Sequence, residues 1–358
     1  MNFPLFNTKQ YSTGKSYDLN DPAGRHAYFH DKLGKEIEEL KEYLENKTYV
    51  AFMLAKKGAG KGPYSKMFQE IFGTDRTGVV SVGDLVRDTH KAVESDPKAK
   101  QDLIEYMEKE YRGFMSIEDA VDALIGRNQS SLLPTEFILA LVKREIAKIG
   151  RKAVFIDGLP RSGDQVSYSL YFRQIINFRE DPDFFILIDV PEAIIDERMK
   201  YRLVCPICRT SRNKKVLPTK FVEYDKDTSE FYMLCDNASC SGYQKEKMQT
   251  KEGDSAGIES IRDRLNTDGE LMKLVLDLKG IPHILLRNSV PVDRATEYVE
   301  DYELTPEYIP ALTPEGTVVV QEKPWTVKDD EGVESYSLLA AAVAASMIHK
   351  MHHVLLGK

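Results

Sequence analysis

Cysteine is scarce in this chain of 358 residues, and its four copies all fall between Cys205 and Cys240. That clustering excludes a framework of disulfides spread through the fold. Two close pairs in one short stretch point to metal ligation in a reducing compartment instead. Tryptophan occurs once, at Trp325, and gives no functional lead. Basic residues are not in excess: 49 Lys and Arg stand against 57 Asp and Glu, a net charge of −8. Nothing in that balance draws the whole molecule to a nucleic acid polymer or an anionic membrane, so any anion site must be a local concentration of cations. Long apolar runs are also missing. The longest, Leu338 to Ile348, falls short of the roughly 17–25 residues that a bilayer-spanning helix needs. Met1 to Tyr11 shows no basic stretch followed by an apolar one, so no secretory signal is expected and the expected location is cytoplasmic. No internal repeat or low-complexity tract is present.

What remains is an ordinary globular composition, 42 % hydrophobic and 30 % charged. Residues 1 to about 22 are polar and read as an irregular, poorly ordered leader. A helix follows from about Gly24 to Glu45, with Leu33, Ile37, Leu40 and Leu44 on one stripe. Short β-branched or aromatic segments then alternate with helical ones. Strands are expected at Tyr49–Leu54, Val79–Val82, Val154–Asp157, Phe184–Val190 and His283–Leu286, and helices at Thr135–Ile149 and Glu192–Tyr201. This alternation predicts an α/β fold with a central five-stranded parallel sheet flanked by helices. Two intervals interrupt it. Residues 88–131 are charged and helical in pattern (Ala99–Tyr111, Ile117–Ile125), and 203–256 hold the cysteines in short strands and turns. After about Thr305 a Pro-rich link (Pro306, Pro310, Pro314) leads to a strand at Thr317–Gln321 and a helix from Tyr336. The expected division is therefore 1–47, a leader and helix; 48–302, a core with both intervals inserted; and 303–358, a C-terminal extension.

Directly after the first strand stands Ala55-Lys56-Lys57-Gly58-Ala59-Gly60-Lys61-Gly62-Pro63. A glycine-rich turn between strand and helix lets successive backbone N–H groups converge on a phosphate, while a lysine reaches its outer oxygens. Ala55 occupies the first glycine position of the usual pattern, and no Ser or Thr follows Lys61. Other strand ends carry arginine or carboxylate: Gly83, Asp84 and Arg87 after the second strand; Asp157, Arg161 and Gln165 after the third. Arg198 and Arg202 end the helix after the fourth, and Arg262 and Arg264 open a later helix. In an open parallel sheet, ligands bind beyond the carboxyl ends of the strands, so these groups should converge beside Lys61. Phosphoryl transfer needs such a set, because its catalysis is largely positioning and electrostatic stabilisation. Asp84 and Asp157 are placed to hold Mg²⁺ through its water shell.

In this order and spacing, from about Tyr49 to Val292, the chain resembles the adenylate kinase family of nucleoside monophosphate kinases. The motifs that carry the resemblance are the glycine loop, Asp157-Gly158-Leu159-Pro160-Arg161, the stretch Leu132 to Lys143, and Glu259-Ser260-Ile261-Arg262-Asp263-Arg264-Leu265. The resemblance implies a P-loop kinase and the reaction ATP + AMP ⇌ 2 ADP with Mg²⁺. A UMP/CMP kinase and a catalytically weak nucleotide-binding scaffold are the alternative readings. It further implies ATP contacts from Gly58, Ala59, Gly60, Lys61, Gly62 and Arg198. Monophosphate contacts would come from Gly83, Arg87, Leu133, Arg161, Gln165 and Arg262, with Gln165 reading adenine. Lys61, Arg161, Arg202 and Arg264 would act on the group in flight. The intervals 88–131 and 203–256 would be the monophosphate-binding subdomain and the lid. Pro63 stands where the family usually has Thr, Val82 where Thr or Ala is common, and the lid arginine that normally precedes an Asp-Asp pair has only Lys251, before Asp254, as its nearest counterpart. Oligomeric state is not fixed by any of these features.

Cys205-x₂-Cys208 and Cys235-x₄-Cys240 have spacings suited to tetrahedral Zn²⁺, and some members of the family carry such a four-cysteine lid. Four thiolates leave no open position, so the ion would be structural. His349 and His353, spaced i, i+4 near the C-terminus, lack a partner motif and read as a solvated helix face. The apolar residues from Leu338 to Leu355 are expected to dock on the core or on a second subunit.

Overall fold

A computed structural model describes residues 3–126, 133–176, 181–251 and 253–357. Leu132 and the end of the first interval, 127–131, lie outside the described residues. At the centre is a five-stranded parallel sheet in the order β10 (His283–Arg287), β4 (Asp183–Asp189), β1 (Val50–Ala55), β3 (Ala153–Asp157), β2 (Thr77–Ser81). All six residues of β1 are buried, as a central strand covered on both faces requires. Its side chains alternate: Val50, Phe52 and Leu54 enter one core, and Ala51, Met53 and Ala55 the other. The strand order reverses at β1, whose neighbours are β3 and β4. A crevice therefore opens at the carboxyl ends of β1 and β3.

One face is covered by α1 (Pro22–Asn46), α2 (Lys61–Phe72) and α12 (Ala340–Leu356). The other is covered by α3 (Val82–Ser95), α4 (Pro97–Glu110), α5 (Ile117–Ile125), α6 (Thr135–Ile149), α7 (Gly163–Leu170) and α8 (Phe172–Ile175). α10 (Arg262–Leu276) serves both cores, with Leu265 in the first and Leu271, Met272 and Val275 in the second. Helix starts follow local chemistry. Asp21 accepts from the Gly24 N–H ahead of Pro22 in the first turn of α1, and Ser81 accepts from the Asp84 N–H at the start of α3.

After α9 (Glu192–Lys200), the cysteine region forms a small sheet of β5 (Arg202–Val204), β6 (Ser211–Asn213) and β9 (Gln249–Thr250), with a hairpin of β7 (Val222–Asp225) and β8 (Glu230–Met233). Beyond β10, strand β11 (Ser289–Pro291) and the short α11 (Ala295–Tyr298) lead into the extension.

The extension differs from the sequence expectation. The Pro-rich link is β12 (Pro306–Leu312), paired with β13 (Val318–Pro324) in an isolated two-stranded hairpin. Proline is tolerated there because neither outer edge of a two-stranded ribbon needs its N–H. β14 (Thr326–Lys328) and β15 (Glu334–Ser337) follow, so Tyr336 lies in a strand and the last helix begins at Ala340. β15 pairs with β11, which ties the extension to the end of the central sheet. The leader is irregular but firmly held. Thr8 Oγ donates to Glu303 (2.5 Å), Lys32 Nζ donates to both Thr8 O and Glu303 (3.0 Å each), and Tyr28 OH donates to Glu303 (2.5 Å). Of the histidines on α12, His353 is exposed as expected, whereas His349 and His352 face α1. His349 Nδ1 lies 2.9 Å from Glu36 and His352 Nε2 lies 2.5 Å from Glu39, both carboxylates on α1.

Candidate active site

The turn after β1 is shaped by Gly58 and Gly60, at φ of +87° and +84°, a conformation that other residues rarely adopt. The Ala59 N–H donates to Lys56 O (3.1 Å), closing the loop, and α2 begins at Lys61 with no side chain capping its first turn. The loop and the helix N-terminus thus present uncapped N–H groups to the crevice. Lys61 Nζ lies 3.4 Å from Ala55 O and 3.5 Å from Asp157 Oδ1, across the ends of β1 and β3.

Asp268, on α10, underpins this loop. It accepts from the Lys57 N–H (2.8 Å) and pairs with Arg264 (2.8 Å). Burial raises its carboxyl above the usual range, opposed by the charges of Arg264, Lys61 and Arg161. On the other side of the crevice, a Cβ at Gly83 would lie 3.1 Å from Arg161 Nη2 and 3.5 Å from Arg87 Nη1. Two guanidinium groups therefore lie close over the first turn of α3, and a larger residue at 83 would press on Arg161. Arg161 also acts on Asp268, so it stands between the lysine side and the Gly83 side of the crevice.

Gln165 is buried. Its Oε1 accepts from the Arg161 N–H (2.8 Å) and its Nε2 donates to Thr135 Oγ1 (3.1 Å), which leaves one N–H and one lone pair of the amide. Leu133 is buried in the core beneath this wall. From the cysteine region, Arg202 forms a two-pronged pair with Asp254 (2.5 and 2.8 Å). Burial and the neighbouring charges of Arg202, Lys57 and Arg87 lower the Lys251 ammonium against the pull of Asp254. Lys251 therefore lies within electrostatic reach of Lys57 in the glycine loop and of Arg87.

Some expected residues are engaged elsewhere. Arg262 pairs with Glu192 (2.6 Å) and Glu259 (2.5 Å), and Glu192 in turn holds Lys56 (2.8 Å). Arg262 therefore belongs to an ion-pair chain that reaches Lys56 at the start of the glycine loop. Asp84 pairs with Arg87, and both are exposed. Arg198 donates to Ala59 O (3.1 Å) in the loop and to Asn288 Oδ1 (3.2 Å). Asp268, Asn288 and Asp330 escaped the sequence reading. Asp268 could have been found from its i, i+4 spacing to Arg264 and Asn288 from its place after a strand; Asp330 carried no local signal.

The four cysteine sulfurs lie within 4.8 Å of one another, with Cys205–Cys240 at 3.9 Å and Cys208–Cys235 at 3.7 Å. Sulfurs around a tetrahedral zinc, each about 2.3 Å from the metal, would be about 3.8 Å apart. The cluster fits the ion. The Gly242 N–H already donates to Cys240 Sγ (3.3 Å), and Cys208 Sγ donates to Thr210 Oγ1 (3.2 Å).

No helix of the described residues is long and apolar enough to cross a membrane. No family model matches the chain. It is 30 % identical to the adenylate kinase of Thermotoga neapolitana over 243 residues, covering 67 % of this chain and 89 % of that protein. It is 29 % identical to the adenylate kinase of Thermotoga maritima over 241 residues, with 67 % and 89 % covered. With the adenylate kinase of Kosmotoga olearia it shares 26 % over 195 residues, 54 % of this chain and 73 % of that one. A parallel α/β sheet, a glycine loop at its switch point and this extent of identity together make the chain a member of the adenylate kinase family of nucleoside monophosphate kinases.

Proposed function

We propose that the protein catalyses ATP + AMP ⇌ 2 ADP. The observation that carries this reading is Arg161, shared between a lysine-and-loop cradle on one side and the Arg87–Gly83 wall on the other. An in-line transfer needs two anions brought end to end, with cationic donors along the path of the moving group. In this reading Gly58, Ala59, Gly60, Lys61 and Gly62 hold the outer ATP phosphates, and Arg198 lies against the ATP base. Gly83, Arg87 and Arg161 take the phosphate of the acceptor, with Leu133 behind it. Arg202, Arg264 and Lys251 add positive charge around the phosphoryl group in flight. Arg262, held by Glu192 and Glu259, is left out of the acceptor set.

The free N–H and lone pair of Gln165 match the acceptor and donor on the adenine edge; uracil presents the reverse pair and cytosine the same one, so this contact favours AMP over UMP. Asp157, at the end of β3 and only loosely paired with Lys61, would hold Mg²⁺ through water; Asp84 would do so once released from Arg87. Bound with ATP, the ion would neutralise charge across the phosphates. Cys205, Cys208, Cys235 and Cys240 would hold a structural zinc.

The test is product formation from ATP with each nucleoside monophosphate, with Lys61→Met as the blank. AMP is expected to exceed UMP in kcat/KM by at least about 10²-fold, the range that a polar edge match can supply, with CMP, which shares the edge pattern, the nearer competitor. Equal or better turnover of a pyrimidine monophosphate would overturn the acceptor assignment.

A further inference from the structure

The C-terminal extension reaches the glycine loop twice, through two separate sets of bonds. In the first, residues Ser337 and Leu338 grip Asn288 on every side. Ser337 Oγ donates to Asn288 Oδ1 (3.1 Å), Asn288 Nδ2 donates to Leu338 O (3.0 Å), and the Leu338 N–H donates to Asn288 O (2.9 Å). Asn288 Oδ1 then accepts from Arg198 Nη2 (3.2 Å), which also reaches Ser337 Oγ (3.4 Å), while Arg198 Nη1 donates to Ala59 O (3.1 Å). Asn288 and Ser337 are fully buried. In the second, Asp330 in the turn between β14 and β15 accepts from the N–H of Glu192 (2.7 Å), the first residue of α9, which carries Arg198. The other oxygen of Asp330 pairs with Lys56 (3.1 Å), at the start of the glycine loop.

We infer that the β14–β15 hairpin is part of the ATP side of the site: Ser337 and Asp330 are positioning residues that aim Arg198 and the glycine loop at the donor nucleotide. This rests on the reading that Arg198 faces the ATP base. An arginine side chain left to itself samples many rotamers, and fixing it in advance removes that cost from nucleotide binding. Neither bond set touches Arg87, Gln165 or Gly83, so the acceptor side should not sense their loss.

The experiment uses the full chain and the variants Ser337→Ala, Asp330→Ala, Arg198→Ala and the double variant Ser337→Ala/Arg198→Ala. Binding of a fluorescent ATP analogue, KM for ATP, KM for AMP and thermal midpoint are measured for each. Ser337→Ala and Asp330→Ala are each expected to weaken ATP about three- to tenfold, the loss of one or two net hydrogen bonds. KM for AMP should stay within about twofold, and the double variant should bind ATP no more weakly than Arg198→Ala alone. If Arg198→Ala weakens ATP while Ser337→Ala and Asp330→Ala do not, the inference fails and the donor-site reading stands. If Arg198→Ala itself leaves ATP binding unchanged, both fail. A parallel rise in both KM values with a lowered thermal midpoint would assign the hairpin a purely structural role and overturn the inference.

Discussion

The segments that flank the crevice owe their order to different physics. On the acceptor side, α4 and α5 bury Leu103, Met107, Val121 and Leu124 in one continuous core with Val80, Phe137 and Ile156 of the main body. Among the described residues, the cysteine region adds only Val216 to the main core. Its apolar centre is a satellite of Met233, Met248 and the cysteines themselves. Its other ties are polar: Lys215 pairs with Glu197 (2.6 Å) and Glu307 (3.5 Å), and Asn213 Nδ2 donates to Arg198 O (3.0 Å). A segment this short cannot bury enough apolar surface to hold itself together. A zinc held by the four cysteines would supply what area cannot. An insert that grows from the main core is as stable as the whole; one that hangs beside it can move on its own.

The sharpest way to break this contrast is Leu103→Ala. Leu103 is fully buried in the shared core, so truncation is expected to lower the stability of the entire chain by about 2–5 kcal/mol. Urea unfolding followed by both fluorescence and circular dichroism should show one coincident, earlier transition. Loss of the α4–α5 signal alone would mean that α4 and α5 are as detachable as the cysteine region.

The complementary test is Cys235→Ser. Metal analysis of protein purified without chelator should give about one zinc per chain, and none in the variant. Hydrogen exchange should accelerate over residues 203–256 while the sheet stays protected. Turnover should fall about 10²-fold, because Arg202 and Lys251 lose their fixed positions, with a smaller effect on AMP affinity. Zinc-free wild-type protein, or a variant with unchanged turnover, would refute the metal's role.

The smallest expected effect belongs to neither segment. Burial, aided by the charge of Asp330, pushes the Asp189 carboxyl at the end of β4 up to about 6. An unfolded aspartate titrates near 3.9, so between about pH 4 and pH 6 the folded state holds the proton more tightly. Stability conferred by this group is therefore fully present at low pH and lost as pH rises through that window. Asp189→Asn should flatten this dependence and gain on the order of 2 kcal/mol at pH 7 relative to the wild type. Denaturant titrations at pH 4.5 and 7 would read it. An unchanged slope would show that the acid response originates elsewhere.

The elements that sequence revealed are those whose pattern is local. The apolar β1, the 3.6-residue stripes of α1 and α6, the glycines at 58 and 60 and the close cysteine pairs each announce themselves within a few residues. Arg87 and Arg161 could be named because strand ends are where such sheets bind ligands. What stayed hidden depends on partners far along the chain. Asp330 meets Lys56 and Glu192 only because β15 pairs with β11. His349 and His352 meet α1 carboxylates through a helix–helix packing that no local period encodes. Pro306 and Pro310 read as a linker because the isolation of their hairpin, which makes them tolerable, is a property of the assembled fold.

The packing of α12 against α1 and α2 bears on how the protein is made. His349 and Glu36 stand 313 positions apart, and Ala341, Ala344, Met347 and Ile348 fill the same core face as Leu33, Leu40 and Phe68. While the ribosome is still translating, that face of the sheet has only α1 and α2 to cover it, and α1 has only part of its binding surface. Folding of this half must wait until residues near 350 clear the exit tunnel, leaving a hydrophobic wall open to chaperones for most of synthesis.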